Sequence, residues 1–174
     1  MNSDIRRFLT GGDRRSQARS RAVLDRVLSG DRGVVAELAA STRDEDWLVS
    51  MRALDLLEKV AHVHPDWVAP FKEIFVGDLA DSDKWEIRLQ VVRALPLFAW
   101  TAAERRRAIA ILTRDVEYPQ IFVRAWALDS LATFALATPR MRRTVQRHLR
   151  AFNRSGSKAL AARARHIRRR LGAR

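Results

Sequence analysis

The stretch Phe122-Val-Arg-Ala-Trp-Ala-Leu-Asp-Ser-Leu-Ala132 decides how this chain reads. It belongs to a chain whose apolar residues recur at three- and four-residue spacing nearly throughout, the period of a helix and not the every-other-residue pattern of a strand. Its centre, Ala127-Leu128-Asp129-Ser130-Leu131, lines up with Val91-Val92-Arg93-Ala94-Leu95 and with Ala53-Leu54-Asp55-Leu56-Leu57, at separations of 36 and 38 residues. An aromatic stands near the start of each copy, in Ile121-Phe122, Lys84-Trp85 and Asp46-Trp47. Each copy is followed by a turn and a second amphipathic segment. A nearly fixed period of this length is the mark of stacked helical pairs.

Outward from these copies the same periodicity runs through most of the chain, broken by Pro, Gly and Asp clusters. It predicts helices over roughly 15–29, 31–40, 44–63, 66–79, 83–100, 102–115, 119–137, 139–153 and 157–171, with boundaries good to about two to four residues. Thr101-Ala-Ala-Glu104 fits a capping box, Thr138 precedes Pro139 at a first-turn position, and Asp81 and Ser157 can cap free amides. The short links imply antiparallel neighbours.

The stretch from Phe122 to Ala132 resembles the first-helix pattern of the HEAT repeat family, with Arg124 at the usual basic position. Ile87-Arg88-Leu-Gln-Val-Val-Arg-Ala-Leu95 is similar, with Arg88 in the same place. The copy at Val49-Ser50-Met51 departs by carrying Ser50 there, and the pair from Ser20 to Ser41 is shorter. The resemblance covers about residues 44–171. It implies an all-α fold, an α-solenoid or ARM-like α-α superhelix of about four HEAT-like helical pairs plus a C-terminal capping helix. It also implies a binding platform whose second helices line an extended surface. Residues 1–13 are expected to be a flexible N-terminal segment ahead of a single domain over 14–174.

Composition bounds the function. The chain has 174 residues, 47% apolar and 30% charged, enough for one domain with a sizeable core. It has no cysteine, which excludes disulfides and thiolate metal sites. The first residues lack the apolar core of a signal peptide, and no stretch approaches the roughly 18 apolar residues of a membrane span. A cytoplasmic protein without a membrane partner is the expectation.

The net charge is +13, and its placement matters more than its size. Residues 140–174 hold 13 Lys plus Arg and no acid, while residues 1–139 hold 20 of each sign. Residues 44–86 carry 11 acids against 4 bases. The 29 arginines against 4 lysines also reflect a composition bias that a GC-rich genome produces, so arrangement is the better evidence. On a wheel of 100° per residue, Met141, Val145, Leu149 and Phe152 fall together, and Arg140, Arg143, Arg147, Arg150 and Arg154 fall on the opposite side. That makes a cationic ridge about 20 Å long, whose like charges repel unless an anion is present. Lys158, Arg165 and Arg169 continue it on the last helix, opposite Leu160, Ala164, Ile167 and Leu171. These eight cations are the candidate site for nucleic acid or an acidic partner. The competing reading is an ordinary solvated face, but that does not explain 35 consecutive residues without an acid. The acidic middle of a second copy is another conceivable partner, through head-to-tail association.

Trp47, Trp67, Trp85, Trp100 and Trp126 could stack on bases, but aromatics at these positions more often fill the joints between repeats. A small basic solenoid with several tryptophans also looks superficially like the alkylpurine DNA glycosylases built on HEAT-like repeats. Their aspartate motif is not matched residue by residue, and Asp55 and Asp129, at equivalent repeat positions, read better as helix-to-helix hydrogen-bonding devices. His62-Val-His64 has the wrong spacing for one helix face and lacks companion ligands for zinc. His148 and His166 sit among positive charges that oppose protonation. Gly11-Gly12 and Ser155-Gly156-Ser157 are turns, not phosphate loops. No catalytic residue, cofactor, metal or small-molecule substrate is implied. The reading is a non-enzymatic scaffold or adaptor that binds another protein, with DNA or RNA backbone binding through the C-terminal ridge as the alternative.

Overall fold

A computed structural model describes residues 5–136 and 138–172, excepting the side chains of Pro139 and Arg140. Every regular element among these residues is helical, in the order α1 (Arg6–Leu9), α2 (Ser20–Leu28), α3 (Gly33–Ser41), α4 (Trp47–Val63), α5 (Pro65–Val68), α6 (Trp85–Ala94), α7 (Ala102–Asp115), α8 (Ile121–Ala135), α9 (Pro139–Arg154) and α10 (Lys158–Gly172). Short 3-10 segments cover Ala69–Val76, Asp78–Asp81 and Leu95–Leu97. The chain divides into two compact units, Met1–Ala99 and Trp100–Arg174. The division falls between α6 and α7, inside what the repeat period counts as one helical pair.

In the first unit α4 is the hub, packing against α1, α2, α3 and α6. Its core residues Val49, Ala53, Leu54, Leu56, Leu57 and Val60 are almost wholly buried, so the helix is covered nearly all round. Asp46 caps its start by accepting from the Leu48 amide at 2.9 Å. The expected helix over 66–79 is instead one α turn followed by 3-10 backbone. Pro70 explains the change, because it has no amide to donate to the Asp66 carbonyl, the bond an α-helix would need there. Pro96 likewise ends α6 at Ala94, six residues short of the expected 100. At the other end, Ala18 has φ +46°, which delays the start of α2 from 15 to Ser20.

Residues 5–13 are held against this unit. Ile5 and Leu9 are buried, and Arg6 pairs with Asp44 through two bonds, Nε to Oδ2 at 2.8 Å and Nη2 to Oδ1 at 3.2 Å. The fully buried Arg52 of α4 then donates to three backbone carbonyls, of Leu9, of Asp13 at 3.0 Å and of Ser16 at 3.1 Å. Gly12 turns here with φ +70°, where an added Cβ would meet Ser16 at 2.7 Å. The stretch expected to be flexible is therefore, over its described part, packed and hydrogen-bonded.

In the second unit α8 is the hub, packed against α7, α9 and α10, and α10 also packs on α9. The capping box at Thr101 and Glu104 forms in full: Glu104 Oε2 accepts from the Thr101 amide at 2.7 Å and Thr101 Oγ1 from the Glu104 amide at 3.3 Å. Ser157 Oγ accepts from the Leu160 amide at 3.3 Å, starting α10 as expected. Thr138 stands at the N-cap of α9 with no side-chain cap bond, and Asp81 ends a 3-10 turn and caps no α-helix.

Candidate interaction surfaces

The repeat arginines do structural work in the structure. Arg124 Nε donates to the Val116 carbonyl at 3.2 Å, eight residues back, and Arg88 Nε donates to the Ser82 carbonyl at 2.6 Å. Ser50, which departs from the arginine pattern, makes the same kind of bond: its Oγ donates to the Thr42 carbonyl at 2.7 Å, again eight residues back. At each of these positions a side chain on the first helix ties down the segment that precedes it.

The aspartates that could suggest catalysis are also engaged. Asp129 is almost fully buried, accepts from Arg163 Nη1 at 2.6 Å and lies 2.7 Å from Arg170 Nη2, joining α8 to α10. Asp55 pairs with Lys59 on its own helix at 2.5 Å. Buried Glu58 holds His62 at 2.8 Å and Arg93 at 3.0 Å. His64 stacks on Trp67 with ring centroids 3.8 Å apart. His148 is buried with Nδ1 3.5 Å from Glu117; burial, helped by Arg147 and Arg124, holds it below the usual imidazole range against the pull of Glu117.

All five tryptophans are half-buried. Three of them carry a cation on the ring face: Lys84 over Trp47, Arg32 over Trp67 at 4.7 Å, and Arg163 over Trp126 at 4.0 Å.

On α9, Val145, Leu149 and Phe152 are buried, Met141 is half-buried, and Arg143, Arg147, Arg150 and Arg154 are exposed. The side chain of Arg140 lies outside the described residues. On α10, Leu160, Ala164 and Ile167 are buried, Leu171 is half-buried, and Lys158, Arg165 and Arg169 are exposed. These seven exposed cations make no hydrogen bond or ion pair with any described residue. Other arginines of the same two helices are engaged: Arg142 caps the end of α8 through the Ala135 and Leu136 carbonyls, and Arg168 lies against the Asn153 side-chain amide, whose oxygen accepts at 2.7 Å in one of the amide's two orientations. Sequence reasoning missed that Arg163 and Arg170 face the protein. Their seven-residue spacing beside the buried stripe was the available signal.

The surface that sequence reasoning missed altogether is in the first unit. A groove of about 750 Å³ runs between α3, the start of α4 and the 3-10 segment. Ala36, Ala40, Trp47, Pro70, Phe71 and Ile74 give it an apolar lining, and among its charged lining residues Asp44, Glu73 and Asp78 outnumber Arg43. The Arg6 guanidinium holds the Asp44 carboxyl below the usual carboxylate range. The groove exists because Pro70 turns the backbone into 3-10 geometry, and a pattern of periods does not display that.

Among the described residues no group of three or more His, Cys, Asp or Glu is placed to hold a metal, and no helix is long and apolar enough to cross a membrane.

No family model matches the chain, and no curated protein matches it. Solved structures do match. A crystal structure described as an engineered protein superposes with TM-score 0.67 at 16% identity, over 98% of this chain and 80% of that one. A designed armadillo repeat protein in complex with the peptide (KR)4 gives TM-score 0.63 at 13% identity, over 93% and 77%. Another designed armadillo repeat protein gives 0.59 at 13% identity, over 96% and 80%. At these identities the likeness is one of fold, and the fold class is the all-α helical-repeat solenoid.

Proposed function

We propose that this chain is a non-enzymatic helical-repeat module that binds another protein, taking an extended, Lys- or Arg-bearing segment into the groove of its first unit. The observation that carries this reading is the groove itself: concave, with an apolar lining, Trp47 half-buried, and carboxylates outnumbering Arg43 among its lining residues even with Asp44 paired to Arg6. An interface needs a desolvated apolar centre with a polar rim, and this is that arrangement. A cation already sits over the Trp47 ring, from Lys84 within the same unit, so the environment of that indole favours positive charge. A designed armadillo repeat protein of similar fold was solved with (KR)4, which supports a basic peptide as the first probe. The repeats are of HEAT type on the strength of Arg88 and Arg124, whose bonds to the preceding segment give that signature a physical role. The non-enzymatic reading rests on Asp55 and Asp129, whose carboxylates are committed to ion pairs within the fold.

The test is anisotropy of a fluorescein-labelled (KR)4 peptide titrated with the intact chain. Ala40 is exposed on α3 and lines the groove, so Ala40→Trp fills the groove without entering the core. Saturable binding that weakens at least about tenfold, roughly 1.4 kcal/mol, in Ala40→Trp and in Asp78→Lys is the expected result. Binding indifferent to both changes, or no binding, contradicts the reading.

A further inference from the structure

We propose that the outer face of α9 and α10 seats the phosphate backbone of nucleic acid, without reading its sequence. This rests on the second unit alone and is independent of the groove of the first. The arginines of these helices fall into two populations. One population is engaged within the protein: Arg142 by the carbonyls ending α8, and Arg163 and Arg170 by Asp129. Those turned outward, Arg143, Arg147, Arg150 and Arg154, are exposed and meet no acceptor among the described residues. The fold has thus supplied anionic or carbonyl partners to Arg142, Arg163 and Arg170 and none along the ridge, where like charges one turn apart repel. An external anion relieves that repulsion.

Two observations choose the class of anion. The first is what the face lacks. Among the described residues the exposed large apolar side chains are Leu28, Val63, Ile121 and Phe122, and none belongs to α9 or α10. A protein partner is normally anchored by a buried apolar or aromatic centre, whereas a nucleic-acid backbone is held by charge and hydrogen bonds alone. The second is concavity. Between the two helices lies a groove of about 480 Å³ whose lining includes Gln146, Arg150 and Arg168, with Leu149 and Leu171. Arg150 belongs to the ridge and Arg168 lies one turn from Arg165, so the groove brings guanidinia from two helices and an amide to one anion. From Arg143 to Arg154 the helix rises about 16 Å, which, measured along the duplex axis, matches about five steps of 3.4 Å per phosphate of one strand. Four or five phosphate contacts is the natural stoichiometry.

The experiment is anisotropy of a labelled 20-base-pair DNA duplex, and separately an RNA duplex, with the intact chain from 50 to 200 mM KCl. With a slope near −0.9 per contact, affinity falls about 10²–10³-fold across this range, and a scrambled sequence binds within about twofold of the first. Arg147→Gln with Arg150→Gln reduces the slope by about two, one for each lost contact. Arg106→Gln with Arg107→Gln, an equal charge loss at exposed positions of α7, leaves the slope unchanged. Matching thermal melts show that the variants remain folded. The proposal is overturned by no duplex binding at 50 mM salt, or by equal effects of the two double variants, which would reduce the phenomenon to net charge. It is also overturned if the ridge-dependent ligand is poly-glutamate or an anionic phospholipid vesicle and neither duplex binds.

Discussion

Arg163 on α10 donates from Nη1 to Asp129 Oδ2 on α8 at 2.6 Å while its guanidinium lies 4.0 Å from the ring centroid of Trp126, so one arginine is clamped by a carboxylate and an indole of the same helix. Arg170 approaches the other carboxylate oxygen at 2.7 Å and donates to the Asp129 carbonyl at 2.6 Å. The Asp129 side chain is 5% exposed and the two arginines 25% and 37%, so removing the carboxylate charge strands two guanidinia that are partly shielded from water. Asp129→Asn is expected to lower stability by about 2–3 kcal/mol, discounted from the 3–5 of a fully buried pair. Urea denaturation followed by circular dichroism measures it; a change under about 0.5 kcal/mol would mean that the carboxylate is not what docks α10.

Arg52 governs the chain's first residues. It is fully buried, and its described partners are the carbonyls of Leu9, Asp13 and Ser16. Arg52→Met keeps the volume and removes all of its donors, leaving acceptors without partners at about 1–3 kcal/mol for each one that stays buried. Limited proteolysis should then cut between residues 9 and 19 at least about tenfold faster than in the parent. Equal cleavage rates would show that Ile5, Leu9 and the Arg6–Asp44 pair hold the segment without Arg52.

Ala18 occupies the left-handed region at φ +46°, which costs an L-residue about 1 kcal/mol relative to glycine. Ala18→Gly relieves that strain but loosens the unfolded chain. The expected outcome is a stability change between zero and about 1 kcal/mol in favour of the variant, read as a rise in melting temperature. A clear fall would mean that the alanine methyl contributes packing that outweighs the strain.

Stability against acid should fall in two windows. His148 is harder to protonate in the folded protein than in the unfolded chain, so the unfolded state binds more protons as pH drops below about 6.5, and stability decreases from there toward the folded value. Glu117 opposes the shift, and burial with Arg147 and Arg124 produces it. Asp44 has the opposite protonation chemistry: its carboxyl is held low by Arg6, so its contribution is present above about pH 4 and is lost as pH falls through the folded value. His148→Gln is expected to flatten the upper window and leave the lower one. Urea midpoints between pH 7 and 3 check both, and an unchanged slope between pH 6.5 and 5 in the variant would assign the upper window to another group.

The readable parts of this protein were those written locally. The capping box at Thr101 and Glu104 needs only residues three apart, and the division of α9 between Val145, Leu149, Phe152 and its arginines needs only a helical period. What escaped depends on distant or backbone partners. Arg52 is satisfied by carbonyls, which no residue code displays, and Ser50 performs the task of a repeat arginine with a hydroxyl. The groove of the first unit arises where Pro70 breaks an amphipathic pattern that otherwise reads as one helix. The tryptophans were expected in the repeat joints; all five are half-buried, and the cations over Trp47, Trp67 and Trp126 come from residues that the helical period does not bring to them.

The measurement that bears most directly on the central claim is site-specific crosslinking from the groove of the first unit. A photoreactive benzoylphenylalanine at position 40, exposed on α3 and facing the groove, is compared with the same group at position 63, exposed at the end of α4 and outside the groove lining. The account predicts a labelled (KR)4 peptide attached from position 40, competed by excess unlabelled peptide, with little or none from position 63. Equal attachment from both positions, or attachment only from position 63, would contradict it.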